Sequence, residues 1–260
     1  MLRKRIIFTL IYENGFFHQS RNFRLQRVGN IGWLERNYKF QSVAFSLDEL
    51  IVLNASKGDK DMQKFAQTLK QLVNNVFIPI AAGGGIRSLE DAKILFDNGA
   101  DKIVLNSALF QDRALVKALS TKYGSQSVVA SVDYKIINNK RVVFIENGTL
   151  DTGKELQEYL EEVEQLNIGE LYLNSIDQDG TGFGYDTNVV EELSKSIKTP
   201  LIIAGGAGNE KHLLEGLKIE SISAVATANL FNFMGDGLPN ARKKILAGDI
   251  NLASFLDKSL

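Results

Sequence analysis

The sequence predicts an α/β protein: a closed parallel (β/α)8 TIM barrel over residues 1–260, built from two fused half-barrels at about 1–121 and 122–245. Three observations predict it. Eight short runs rich in β-branched residues alternate with amphipathic stretches of helical length along 260 residues. No linker or low-complexity stretch interrupts them. A single shift of 121 residues superposes Glu49 on Glu170, Pro79 on Pro200, Gly84-Gly85 on Gly205-Gly206, Val104 on Val225 and Leu109-Phe110 on Leu230-Phe231. Chance similarity would scatter the offsets, whereas a duplicated half-barrel produces one.

Strand one, "RIIFTLIY", runs out into insertion 13–30, "ENGFFHQSRNFRLQRVGN", which reads as irregular. Strand two is "ELIVLNA" and strand three "IPIAA"; the helix over 88–99, "SLEDAKILFDNG", has a serine at its N-cap, a glutamate soon after and a glycine stop. Strand four is "KIVLN". Strand five, "SVVASVDY", leads into insertion 135–153, "KIINNKRVVFIENGTLDTG", which reads as a small hairpin turning near Asn138-Asn139. A helix is expected over 151–167, then strands "ELYLNS", "PLIIA" and "SAVATA". Both insertions follow strand C-terminal ends, where barrel enzymes carry their chemistry.

Composition narrows the partners. With 44% hydrophobic residues the chain can bury a large core, and 30 Lys plus Arg against 31 Asp plus Glu create no overall field for nucleic acid or an anionic membrane. A local basic patch is still compatible with that balance. The absence of cysteine excludes disulfides, thiolate ligands and cysteine nucleophiles, and fits a cytoplasmic protein. His18 and His212 are far apart in sequence, so a multi-histidine metal site is not expected and a catalytic histidine has at most two candidates; no metal and no cofactor are expected. The start "MLRKRIIFTLIYENG" lacks a small-residue cleavage site, so no signal peptide is expected, and no apolar run reaches the length of a membrane span.

"AAGGGIRS" and "IAGGAGNE" each join a strand to a helix through glycines, whose backbone N–H groups can approach an anion at a helix N-terminus. Either loop alone reads as a tight turn. The symmetric pair, each followed one strand later by "LNSALF" (Asn106, Ser107) or "TANLF" (Ala228, Asn229), points instead to a long ligand with phosphate at both ends. "NSIDQDGTGFGYD", after strand six, offers Asp179, Gly180 and Thr181 as a carboxylate with free N–H groups, or else a solvated acidic turn. A calcium loop is disfavoured, since no glutamate follows at the required spacing.

In this order and spacing, "GGGIRSLEDA", "GADKIVLNSA", "GSQSVVASVDYK", "SIDQDGTGFGYD" and "IIAGGAGN" resemble the cyclase subunit of imidazole glycerol phosphate synthase, and the resemblance extends to the start "MLRKRII". The related phosphoribosyl isomerase matches less well around "SIDQDGTGFGYD". The resemblance implies a barrel that takes ammonia from a glutaminase subunit docked on its N-terminal face and passes it along the axis to a bis-phosphorylated ribulosyl substrate. There a lyase and cyclisation reaction makes imidazole glycerol phosphate and an aminoimidazole carboxamide ribotide. It also implies a charged ring at the ammonia entrance, Arg5, Glu49, Lys102 and Glu170, which equally reads as an internal ion-pair network; both roles are compatible. Asp101 and Gln126 match the glutaminase-facing surface, and Gly85, Asn106, Ser107, Gly180, Gly206 and Ala228 match phosphate-binding positions.

The implied acid–base pair is broken. The family places aspartates at the ends of strands one and five; here Asp133 fills the second position and Ile11 the first. Gln19 stands where the family has a substrate-contacting lysine, Asn174 replaces a threonine and Ala204 a serine, and Asn147 and Asp151 also depart from the pattern. The losses cluster around the substrate while the ammonia entrance is intact. The expected function is therefore a paralogue that still partners a glutaminase, with ordinary cyclisation lost or weak. Such paralogues occur in surface-polysaccharide clusters, where a third, ATP-using amidotransferase completes the amidation of a sugar. Two alternatives stand beside it: a histidine-pathway cyclase in which Glu13 or Asp179 covers for residue 11, and a catalytically silent activator of the glutaminase.

Overall fold

The computed structural model describes residues 3–38, 43, 45–58, 60–193, 196–248 and 250–253; the Met1-Leu2 part of the "MLRKRII" start and the last seven residues of the expected 1–260 unit lie outside the described residues. The described strands are β1 (Arg5–Glu13), β2 (Phe16–Arg21), β3 (Arg24–Gly29), β4 (Glu49–Asn54), β5 (Ile80–Gly83), β6 (Lys102–Leu105), β7 (Val128–Ile137), β8 (Lys140–Ile145), β9 (Leu150–Glu155), β10 (Glu170–Ser175), β11 (Leu201–Ala204) and β12 (Ile222–Thr227). Eight of them, β1, β4, β5, β6, β7, β10, β11 and β12, pair in parallel in that order, and β12 pairs back onto β1, which closes the barrel.

The near-continuous apolar strands follow from burial on both faces. On β1, Ile6, Phe8, Leu10 and Tyr12 pack outward in the core beneath the helices, while Ile7 joins Ile51, Ala81, Val104, Val129, Tyr172 and Ile202 inside the barrel. The helix Met62–Asn75 starts where the Asp61 side chain accepts from Lys64 N at 2.9 Å, and it buries Phe65, Ala66, Leu69 and Leu72. Each such large side chain contributes about 1.5–3 kcal/mol by leaving water. The helix expected over 88–99 is Leu89–Asp97, capped by Ser88, which accepts from Asp91 N at 3.1 Å, and followed by Gly99 at φ 97°.

Strand registers carry the internal two-fold symmetry to the level of single residues. Ile7 lies opposite Glu49 and Ile11 opposite Leu53, just as Val129 lies opposite Glu170 and Asp133 opposite Asn174. Ile11 and Asp133 are therefore equivalent positions on β1 and β7.

Two expectations need correction. Insertion 13–30 is a regular hairpin: β1 turns at Asn14-Gly15 (φ 51° and 93°) into antiparallel β2, which turns at Asn22-Phe23 (φ 49° and 61°) into β3. Paired positive φ values give the turn a twist that matches the flanking strands, and the Asn-Gly dipeptide was a legible signal for it. The helix expected over 151–167 is only Leu156–Glu164, because residues 151–155 belong to β9, held against β8 by the Phe144–Asp151 and Val142–Glu155 pairings. The expected turn at Asn138-Asn139 is present, with φ of 50° and 62° between β7 and β8.

Candidate active site

Side-chain alternation along β1 puts Arg5, Ile7, Thr9 and Ile11 on the face that looks into the barrel. At the N-terminal end of the axis, Arg5 Nη1 donates to Glu49 Oε2 at 2.7 Å and Nη2 to Glu170; Lys102 Nζ reaches Glu49 Oε2 at 3.0 Å and Glu170 Oε2 at 2.7 Å. The charges alternate around a closed ring. Burial raises the carboxyl of Glu49, 3% exposed, despite Lys102 and Arg5; at Glu170 burial is outweighed by Arg5 and Lys102, and its pKa is lowered. The outer side of the ring opens into a cavity of about 480 Å³ lined by Arg3, Lys4, Arg5, Asp48, Glu170, Pro200, Ser223 and Ala253. Asp101, whose carboxylate accepts from Ile80 N at 2.8 Å, and exposed Gln126 stand on this same end, just ahead of β6 and β7.

Midway along the axis, Thr9 Oγ1 and Tyr172 OH lie 3.1 Å apart. At the C-terminal end, Asp133 is 7% exposed and accepts from Asn106 Nδ2 at 3.1 Å and from Asn174 Nδ2 at 3.3 Å. Burial pushes its carboxyl up to about 7, with the Asp179 charge adding to the effect while the two asparagines oppose it. Asp133 therefore carries a proton for part of the neutral range, as a general acid requires. Asp179 accepts from Ser20 Oγ and from Phe23 N at 3.0 Å, and burial raises its pKa too. At the equivalent position on β1, half-buried Ile11 offers no ionisable group.

The glycines of the two turns meet matching neighbours. A Cβ on Gly84 (φ 97°) would lie 2.2 Å from the Asn54 carbonyl oxygen, and one on Gly205 (φ 88°) would lie 2.6 Å from that of Ser175. These first glycines are required for packing against the adjacent strand end. Gly85 (φ 93°) and Gly206 (φ 105°) face Lys60 and the Gly184 carbonyl. Around them, Ser107 Oγ accepts from Glu146 N at 3.3 Å; Thr181 Oγ1 donates to Gln178 O at 2.8 Å; Asn229 Oδ1 accepts from Asn232 N at 3.0 Å. Thr181 and Asn229 thus spend hydrogen-bonding capacity on their own turns, and Ala228 has only backbone to offer. Gly180 (φ 68°) passes close beneath Ser20 O.

Lys60 was not singled out from the sequence. Its Nζ donates to Asn54 O at 2.6 Å beside Gly85, and burial, with the Arg87 charge adding, lowers its pKa to about 8. The signal available was symmetry: "NASKGDK" follows β4 as the acidic loop follows β10.

The β2–β3 hairpin folds back over this end. Ser20 bonds Asp179, Asn22 Nδ2 donates to Ile176 O and Asp177 O at 3.1 and 2.9 Å, and Gln19 Oε1 accepts from Leu230 N at 2.7 Å. Asn147 Nδ2 donates to Ala55 O at 3.1 Å, Asp151 Oδ1 accepts from Gly153 N at 2.7 Å, and Ala204 lies buried in the interior. His212 caps its own helix region, its Nδ1 accepting from Gly208 N at 3.2 Å. Among the described residues no group of three or more His, Asp or Glu could hold a metal ion, and no helix is long and apolar enough to cross a membrane.

The model of the histidine biosynthesis protein family matches residues 35–235. A protein provisionally named imidazole glycerol phosphate synthase subunit hisF2, from Parasynechococcus marenigrum, is 48% identical over 94% of this chain and 91% of its own length. Imidazole glycerol phosphate synthase HisF subunits from Chlorobium phaeobacteroides and Chloroherpeton thalassium are 36% and 34% identical, over 94% and 93% of this chain and 96% and 95% of their own lengths.

Proposed function

The chain belongs to the histidine biosynthesis protein family, as a relative of imidazole glycerol phosphate synthase HisF subunits, and from that premise we propose that it is a barrel fed with ammonia by a glutaminase, with ordinary cyclisation weak or lost. The observation that carries this reading is the contrast between the two ends of one axis. The N-terminal ring of Arg5, Glu49, Lys102 and Glu170 is complete, whereas the position equivalent to Asp133 is Ile11. Ammonia would enter past the ring from a glutaminase contacting Asp101 and Gln126, travel by Thr9 and Tyr172, and emerge at Asp133. A ligand bearing two phosphates would lie between the loops at Gly84-Gly85 with Asn106 and Ser107, and at Gly205-Gly206 with Gly180, Thr181, Ala228 and Asn229. Without a second carboxylate at residue 11, proton transfer during ring closure slows by about 10²- to 10⁴-fold. Service to the amidation of a surface sugar, together with a third, ATP-using amidotransferase in the cytoplasm, fits a barrel specialised for delivery.

The test supplies the bis-phosphorylated ribulosyl substrate with ammonium salt and measures imidazole product. Turnover at least about 10²-fold below an ordinary cyclase is expected, and parity with one sinks the reading. Binding and stimulation of a glutaminase is the companion assay; a chain that does neither is not an ammonia-receiving subunit. The same Asp133, buried and protonated near neutrality, favours a second reading in which the chain is a slow histidine-pathway cyclase using Glu13 or Asp179.

A further inference from the structure

Residue 11 is not the only side chain on its face of the hairpin. Ile11 is paired across the β1–β2 ladder with His18, so both side chains leave the same side of the sheet, and Glu13 and Ser20, two residues along each strand, leave it too. That side is the barrel mouth, because Ile7 and Thr9 below Ile11 line the interior and Ser20 bonds Asp179 at the end of β10. His18 is 5% exposed. Its Nε2 lies 3.3 Å from Glu13 Oε2, while Nδ1 is buried and makes no hydrogen bond.

An imidazole nitrogen that is buried without a partner keeps an unused hydrogen-bonding position at this mouth. Glu13 orients the ring, since a carboxylate beside Nε2 favours the tautomer with hydrogen there and leaves the Nδ1 lone pair free. Ser20, on the same face as His18, bonds Asp179, whose charge in turn acts on Asp133; Arg27, register-paired with His18 on β3, is exposed and stacks its guanidinium on the Phe16 ring at 3.8 Å.

We propose that His18, positioned by Glu13, is the proton acceptor that works with Asp133 in place of the carboxylate absent at residue 11. The inference rests on the reading of this mouth as the ammonia-using end. At a ligand ketone, the ammonia nitrogen forms its bond to carbon and gives one proton to Nδ1. Asp133 gives its proton to the carbonyl oxygen, which takes up the second proton of the amine and leaves as water when the C–O bond breaks. The imidazolium then returns its proton to the Asp133 carboxylate through the solvent of the mouth. Atoms and charges balance, and no oxidant or reductant is consumed.

The experiment uses the full chain with the bis-phosphorylated ribulosyl substrate at fixed free ammonia. His18→Asn is expected to lower the residual kcat at least about 10²-fold with KM changed less than threefold. His18→Asn combined with Ile11→Asp is expected to recover it. A wild-type chain with no measurable turnover, or a His18→Asn variant within twofold of wild type, overturns the proposal. Independently of turnover, the imidazole nitrogen resonances of wild type are recorded with substrate and without ammonia. With only two histidines in the chain, His212 is the internal control. Displacement of the His18 Nδ1 signal supports the proposal and an unmoved signal refutes it. Glutaminase binding by His18→Asn is expected to equal wild type, so failure of this inference is separable from failure of the ammonia-delivery reading.

Discussion

Asp133 is the residue at which burial becomes chemistry. Its folded-state pKa, about 7, lies above the ordinary carboxylate value, so the folded chain holds a proton that the unfolded chain releases near pH 4. Stability from this group is therefore complete below about pH 4 and is lost as pH rises through about 7. Asp133→Asn should remove that slope: between pH 4 and 7 the melting temperature of wild type should fall relative to the variant, measured by calorimetry. The equivalent β1 position yields the complementary prediction. Ile11→Asp places a second carboxylate at the mouth and should raise residual cyclisation by about tenfold or more, read as imidazole product formed per enzyme; no gain would mean that Gln19, Asn174 and Ala204 have reshaped the pocket beyond repair by one residue.

The elements explain why the glycine loops are where they are. Gly84 and Gly205 turn through positive φ against the carbonyls of Asn54 and Ser175, so any side chain there collides with backbone that cannot move without disturbing a barrel strand. Gly84→Ala and Gly205→Ala should each cost about 2–4 kcal/mol in denaturant unfolding. Gly153→Ala, also at positive φ but with nothing within 4 Å of its added Cβ, should cost only about 1 kcal/mol. The β2–β3 hairpin shows the opposite economy. Its turns tolerate Asn14, Asn22 and Phe23 at positive φ because Asn visits that region readily and the second hairpin turn is held by Asn22 against Ile176 and Asp177.

At the scale of the whole molecule, one axis joins a charged ring at the N-terminal end to the buried Asp133 carboxyl at the C-terminal end. The ring of Arg5, Glu49, Lys102 and Glu170 is satisfied only as a set, so removing one member strands a buried partner. Lys102→Met should destabilise the chain by about 3 kcal/mol and, in the complex with a glutaminase, raise the share of ammonia escaping into solution, measured against glutamine hydrolysed. A destabilised variant that still delivers all its ammonia would assign the ring to stability alone.

Much of this was legible beforehand. The alternation of strand and helix and the 121-residue repeat are linear properties, because strand period and duplication are written in residue order; that Ile11 replaces a carboxylate is what the resemblance to the cyclase subunits implies. The second insertion and the helix after it blurred together, since "DTGKE" has helical company and only the pairing of Asp151 and Glu155 with β8 makes it a strand. Sequence by itself determined the architecture and the symmetric glycine loops, while the imbalance between the two ends of the axis is what its resemblance to the cyclase subunits implies. Only the tertiary structure decided which polar groups meet: that Lys60 lies half-buried beside Gly85, that Asn106 and Asn174 clasp Asp133, and that His18 stands across from Ile11 with one nitrogen free. The physical reason is that pairing register and hairpin closure bring together groups far apart in the chain, and burial, which sets their protonation, exists only after they meet.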